Sequence, residues 1–139
     1  METLHENVYA EIRLDLPRSL FEHFWKPASE QLDSEGFRQE IGHFTRLLRQ
    51  ARPRKLLVDT RGLLFIIVPD DQVWMSEHSN RAVIESGVKR LAFVASSDIV
   101  TAVSVEQVIE EDLDLQLNTR HFDSRDLALA WLDHADLEP

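Results

Sequence analysis

Apolar residues alternate with polar ones from Val8 to Leu16: Val8, Ala10, Ile12, Leu14 and Leu16 fall on one side, Tyr9, Glu11, Arg13 and Asp15 on the other. A period of two predicts a strand with one buried face. Leu16-Pro17-Arg18-Ser19 supplies a turn, and the aromatic-rich stretch Leu20 to Trp25 predicts a second strand, paired with the first as an antiparallel hairpin. Lys26-Pro27 ends it, because proline has no amide to give the ladder.

The period then changes. Asp33 or Ser34 can cap a helix whose apolar positions, Phe37, Ile41, Phe44, Leu48 and Ala51, recur at spacings of three and four until Pro53 stops it. Lys55 to Asp59 encloses Leu56-Leu57-Val58 between charges and predicts a buried, parallel strand. Asp59-Thr60-Arg61-Gly62 makes a turn, and Leu63 to Val68 follows as strand or extended loop. Pro69, with Asp70 and Asp71, suits the positive end of a helix expected to run to Ser86, where Gly87 stops it. Arg90 to Ala95 is the next buried strand. Ser104 and Gln107 match a capping box for a short helix, Leu115 to Phe122 alternates as an edge strand, and Asp123 or Ser124 caps a last helix. That helix docks through Leu127, Ala128, Trp131 and Leu132.

The resulting order predicts an α/β fold: an N-terminal β-hairpin, then βαβαβα units, in a mixed, mostly parallel sheet flanked by helices. No repeat, low-complexity tract or linker interrupts it, so residues 1–139 are expected to form a single domain.

Composition narrows the function classes. At 43% hydrophobic and 29% charged residues the chain is of globular type. It has no cysteine, which excludes disulfides, thiolate metal sites and cysteine nucleophiles. Met1 to Glu6 carries neither a basic leader nor an apolar run, and Leu63 to Val68 is far too short to span a bilayer. A cytoplasmic protein without signal peptide or transmembrane segment is expected. The formal net charge of −10 repels phosphate backbones, so no nucleic-acid partner is expected. Arg46, Arg49, Arg52, Arg54 and Lys55 form one basic cluster, either an anion patch or solvated charges near a helix C-terminus.

Several phrases point to a family. They are Lys55-Leu56-Leu57-Val58-Asp59-Thr60-Arg61, Pro69-Asp70-Asp71-Gln72-Val73-Trp74, Gly87-Val88-Lys89-Arg90-Leu91-Ala92-Phe93-Val94, and the ending Thr119 to Leu132. With the element order, they resemble the SpoIIAA-like branch of the bacterial STAS/SEC14 proteins. The resemblance implies a SpoIIAA-like (STAS) fold and a non-catalytic regulatory or protein-interaction module, self-associating as a homodimer or docking a protein partner. STAS domains of the anti-sigma antagonist type carry a phosphorylated serine at the start of the helix after the third strand. Here that stretch reads Ile66-Ile67-Val68-Pro69-Asp70-Asp71, with no hydroxyl, so the phosphoswitch is not carried over.

Candidate chemistry gathers on the same helix. Asp70, Trp74, Glu77, His78 and Arg81 fall roughly on one face, where they could act as base, proton shuttle and anion clamp, or stand as a solvated face with a Glu77–Arg81 pair. Nothing fixes a nucleophile, so an enzyme ranks last. The six histidines are dispersed, with no pair of histidines at i,i+3 or i,i+4, and no metal or cofactor is expected. His23 and His121 are expected half-buried with a hydrogen-bond partner. The four glycines cannot assemble a phosphate loop. Leu63 to Val68, with Trp74 and Met75, is core, an interface, or the wall of a pocket for a small apolar or anionic ligand. The expected ligand- or partner-binding residues are therefore Leu63, Phe65, Ile67, Pro69, Asp70, Trp74, His78 and Arg81.

Overall fold

The computed structural model describes residues 1–95 and 118–134. Six strands, β1 (Glu2–Glu6), β2 (Ala10–Asp15), β3 (Leu20–Trp25), β4 (Lys55–Asp59), β5 (Arg90–Val94) and β6 (Asn118–Phe122), form one sheet in chain order. The pairs β1–β2 and β2–β3 are antiparallel, and the remaining pairs are parallel. The α/β class and the mixed, helix-flanked sheet match the expectation. The expected helix capped by Ser104 lies outside the described residues, as does the expected strand Leu115 to Phe122 except for its part in β6.

The N-terminus departs from the expected hairpin. Ala10 to Asp15 is strand, but Val8 is not, and Glu2–Glu6 adds a strand that makes the hairpin a three-stranded meander. Leu4 is the lone aliphatic residue in Glu2–Glu6, so no alternation marked it.

Strand parity sets the two faces. Ile12, His23, Val58 and Phe93 lie in one cross-strand row, on the face that also carries Phe21, Trp25, Leu56 and Leu91. Helix α1 (Ser34–Ala51) covers this face with Phe37, Ile41, Phe44 and Leu48. Its capping is legible: Asp33 accepts from the Gly36 amide at 2.7 Å, and Arg52 ends it in the left-handed conformation. The second helix, α2, spans 69–85 and packs beside α1. It was expected as one regular helix, but a π-helical turn, Ser76–Asn80, separates Pro69–Met75 from Arg81–Glu85. The opposite face is smaller: Leu20, Leu57, Ala92 and Val94 meet Ala128 and Leu132 of α3 (Arg125–Asp133).

The basic cluster is split by this arrangement. Arg46, Arg49, Arg52 and Arg54 are exposed, whereas Lys55 is buried in β4 and lies 3.8 Å from Asp133. Among the described residues, no helix is long and apolar enough to cross a membrane.

Candidate functional site

The segment after β4 builds one wall of an internal cavity. Leu63, Phe65 and Ile67 are buried, while Ile66 and Val68 are exposed. The alternation is that of a strand, but among the described residues no partner strand adjoins it, and it is loop. Side chains and backbone pin it instead. Buried Ser29, in the 3₁₀ turn Pro27–Gln31, donates to the Gly62 carbonyl at 3.0 Å and accepts from the Leu64 amide at 2.9 Å. Gly62 is required here, since a β-carbon would stand 2.4 Å from the Trp25 carbonyl oxygen. Thr60 ties the start of the segment to β5 through its amide and hydroxyl, both donating to the Val94 carbonyl.

Between this loop, α1, α2 and the sheet lies a cavity of about 50 Å³, partly open and mainly apolar. Phe44, Leu63, Ile67, Met75 and Val83 supply apolar wall. The polar contributors are His23, Thr60, Ser79 and Asn80, all buried. Ser79 and Asn80 come from the π turn of α2, where one extra residue per turn widens the helix against the sheet.

His23 is the chemically distinctive group. Only 2% of it is exposed, its ring stacks on Phe44 at 4.8 Å and tilts against Trp25 at 5.0 Å, and its Nε2 has no hydrogen-bond partner among the described residues. The expectation of a half-buried, hydrogen-bonded His23 is therefore corrected. Strand parity turns the ring inward with Phe21 and Trp25, and its neighbours there are aromatic. His121, stacked on Phe93 at 5.4 Å, is half-buried as expected, but its Nε2 also lacks a partner among the described residues. Burial, helped by the charge of His5, pushes the His23 pKa down to about 3, so the ring is neutral at ordinary pH.

The expected site residues divide. Leu63 and Ile67 line the cavity, and Phe65 stacks on Phe37 at 4.6 Å behind it. Trp74 is half-buried, with the Arg38 guanidinium 5.3 Å from its ring centroid. Pro69, Asp70, Glu77, His78 and Arg81 all face solvent. His78 stacks on Trp74 at 4.6 Å, and its Nδ1 lies 2.9 Å from the Trp74 carbonyl. No described contact joins it to a carboxylate. The acid that α2 does engage is Asp71, buried, accepting from Ser34 at 2.8 Å and paired with Arg38 at 3.0 Å. This pair clamps the start of α2 onto α1.

Sequence reasoning missed His23, Ser79 and Asn80 as pocket residues. For His23 a signal existed, since its parity places it with the buried aromatics of β3. Neither the known protein families, nor the curated proteins, nor the solved structures match this chain.

Proposed function

We propose that this chain is a non-catalytic binding domain that takes a small, mainly apolar molecule bearing one hydroxyl-type group into the cavity beneath α2. The observation that carries the reading is the Nε2 of buried His23, unpaired among the described residues, on a side chain that lines a mainly apolar cavity. A buried polar atom without a partner is destabilising by roughly 1–3 kcal/mol, and a ligand hydroxyl would relieve that, since it can donate or accept. Size limits the occupant. An apolar cavity of about 150 Å³ holds benzene, so about 50 Å³ suits a short-chain alcohol, with the flexible Met75 side chain able to yield further space.

The test uses ethanol as probe, followed by amide chemical shifts. Saturable shifts at Thr60, Ser79 and Val83 are expected. Val83→Ile places one more methylene into the cavity; it should stabilise the protein by up to about 0.8 kcal/mol and abolish the shifts. Uniform, non-saturating shifts in the wild type, or unchanged binding in Val83→Ile, would sink the reading.

A second reading keeps the resemblance to the STAS proteins, with the chain acting as a self-associating or partner-docking module. Exposed Ile66, Val68 and Val73, at 61%, 44% and 59%, favour it, because they stand around the start of α2 where that family's partner contacts are expected. A concentration-dependent dimer by light scattering is the outcome that would favour it over the carrier. Catalysis by Asp70, Glu77, His78 and Arg81 has the least support, since all four are exposed and no described contact joins them.

A further inference from the structure

A second cluster of chemistry-bearing side chains lies away from the cavity, where β1 meets α1. Glu40 and His43 are three residues apart on α1 and so share a face. His5 reaches them from β1. The ligand atoms of His5, Glu40 and His43 all lie within 4.8 Å of one another, and the two imidazole centroids are 4.7 Å apart.

A backbone irregularity delivers His5. In the β1–β2 ladder Thr3 pairs with Arg13, but His5 pairs with Ile12, so Leu4 is an inserted residue. In unbroken register Leu4 would oppose Ile12, and His5 would oppose Glu11 on the outer face. The bulge turns both Leu4 and His5 toward α1: Leu4 packs on the core, and His5 meets His43.

Asn7 holds the cluster in order. Its Oδ1 accepts from the amides of Tyr9 and Ala10, both at 2.9 Å, which fixes the direction of the side-chain amide. Its Nδ2 consequently faces Glu40, donating at 2.5 and 3.1 Å, and lies 3.3 Å from His5 Nε2. An amide nitrogen only donates, so the lone pair of His5 Nε2 accepts from Asn7. Glu40 is 4% exposed, a carboxylate buried beside two imidazoles. Beside it opens a polar pocket of about 320 Å³, bordered by Tyr9, Asp33, Gln39, Glu40 and His43.

We propose that His5, Glu40 and His43 bind a divalent transition-metal ion of the zinc class. Two imidazoles and one carboxylate are a zinc donor set, whereas magnesium and calcium prefer all-oxygen shells. Bonds of about 2.0–2.2 Å require the donor atoms to draw closer than they stand. Both imidazoles are half-buried; His5 would exchange its Asn7 contact for the metal, while Glu40 keeps Asn7 as the outer partner that orients the carboxylate. Three protein ligands leave a fourth position facing the polar pocket, open to water or to an anionic ligand.

The experiment titrates chelator-treated, tag-free protein with Zn²⁺ and Mg²⁺ by calorimetry, and with Co²⁺ by visible absorption. One zinc per chain, no magnesium heat and a tetrahedral cobalt spectrum are expected. His5→Ala and His43→Ala should each weaken zinc binding at least about 10-fold while far-ultraviolet dichroism stays native. His78→Ala, which removes an exposed histidine outside the cluster, should leave it unchanged. Glu40→Gln keeps a hydrogen-bonding group for Asn7 and should weaken zinc without unfolding the chain. Absence of zinc binding, or equal binding in wild type, His5→Ala and His43→Ala, overturns the proposal.

Discussion

Acid should destabilise this protein through one residue, and the size of the effect follows from its burial. His23 is neutral in the folded chain because burial and the nearby His5 hold its pKa down at about 3. In the unfolded chain it titrates at the ordinary value near 6.5. The unfolded state therefore binds the extra proton, so stability is complete above pH 6.5 and is lost as pH falls toward 3. At about 1.36 kcal/mol per pH unit, less near the ordinary pKa, the loss between pH 7 and pH 5 amounts to about 2 kcal/mol. Urea unfolding followed by tryptophan fluorescence measures it, at pH 7, 6 and 5, in the wild type and in His23→Phe. Phenylalanine keeps the stack on Phe44 and cannot take up a proton, while the carboxylates titrate alike in both proteins. The wild type should lose about 2 kcal/mol more than the variant over that range. Parallel pH profiles would refute the reasoning, because they would mean that His23 is solvated or protonated within the fold.

Two further predictions probe the framework around the cavity. Gly62→Ala forces a β-carbon against the Trp25 carbonyl, where backbone rather than a flexible side chain must move. It should lower stability by about 1–3 kcal/mol, read from the urea midpoint; wild-type stability would show that the loop carrying Leu63 is not held there. The Arg38–Asp71 pair is lopsided, with the arginine 39% exposed and the aspartate 1%. Truncating the exposed partner should therefore be the more harmful change: Arg38→Ala leaves a buried carboxylate with Ser34 alone and should cost about 2–3 kcal/mol, whereas Asp71→Asn should cost less. The reverse order in thermal melts would contradict the buried clamp.

Where the sequence was legible, one residue class decided the matter over several turns or repeats. Phe37, Ile41, Phe44 and Leu48 state the buried stripe of α1, and Leu56-Leu57-Val58 and Leu91-Ala92-Phe93-Val94 state the central strands, because both sheet faces there are covered. β1 was not legible, since a polar edge strand owes its place to hydrogen bonds with β2 rather than to any apolar period. Leu63 to Ile67 misleads in the other direction. It alternates like a strand because alternate side chains are buried, yet its amides are held by Ser29 and Thr60. The cavity follows partly from parity, which turns His23 inward, but the absence of a donor opposite Nε2 is a tertiary fact. The Glu40–His43 spacing was visible in the sequence, but His5 joins it only through a bulge that no residue pattern announces.

The buried polar groups give the strongest ground for placing function at the cavity. Ser29, Thr60, Asp71 and Ser86 are each satisfied by the loop, strand or helix end that they secure, with hydrogen bonds of 3.0 Å or less. Unpaired buried atoms occur elsewhere, but in other settings. Glu22 Oε2 and Arg125 Nε belong to two side chains already joined at 2.7 Å, and Thr119 and His121 stand on β6, the last strand of the sheet. His23 lies in a central strand, with no ion pair to account for it and a cavity at its ring. An aliphatic residue at that position would fill space without leaving a nitrogen unbonded. Retaining an imidazole there is destabilising in the free protein, and that becomes intelligible when the nitrogen meets a partner that is not part of the chain.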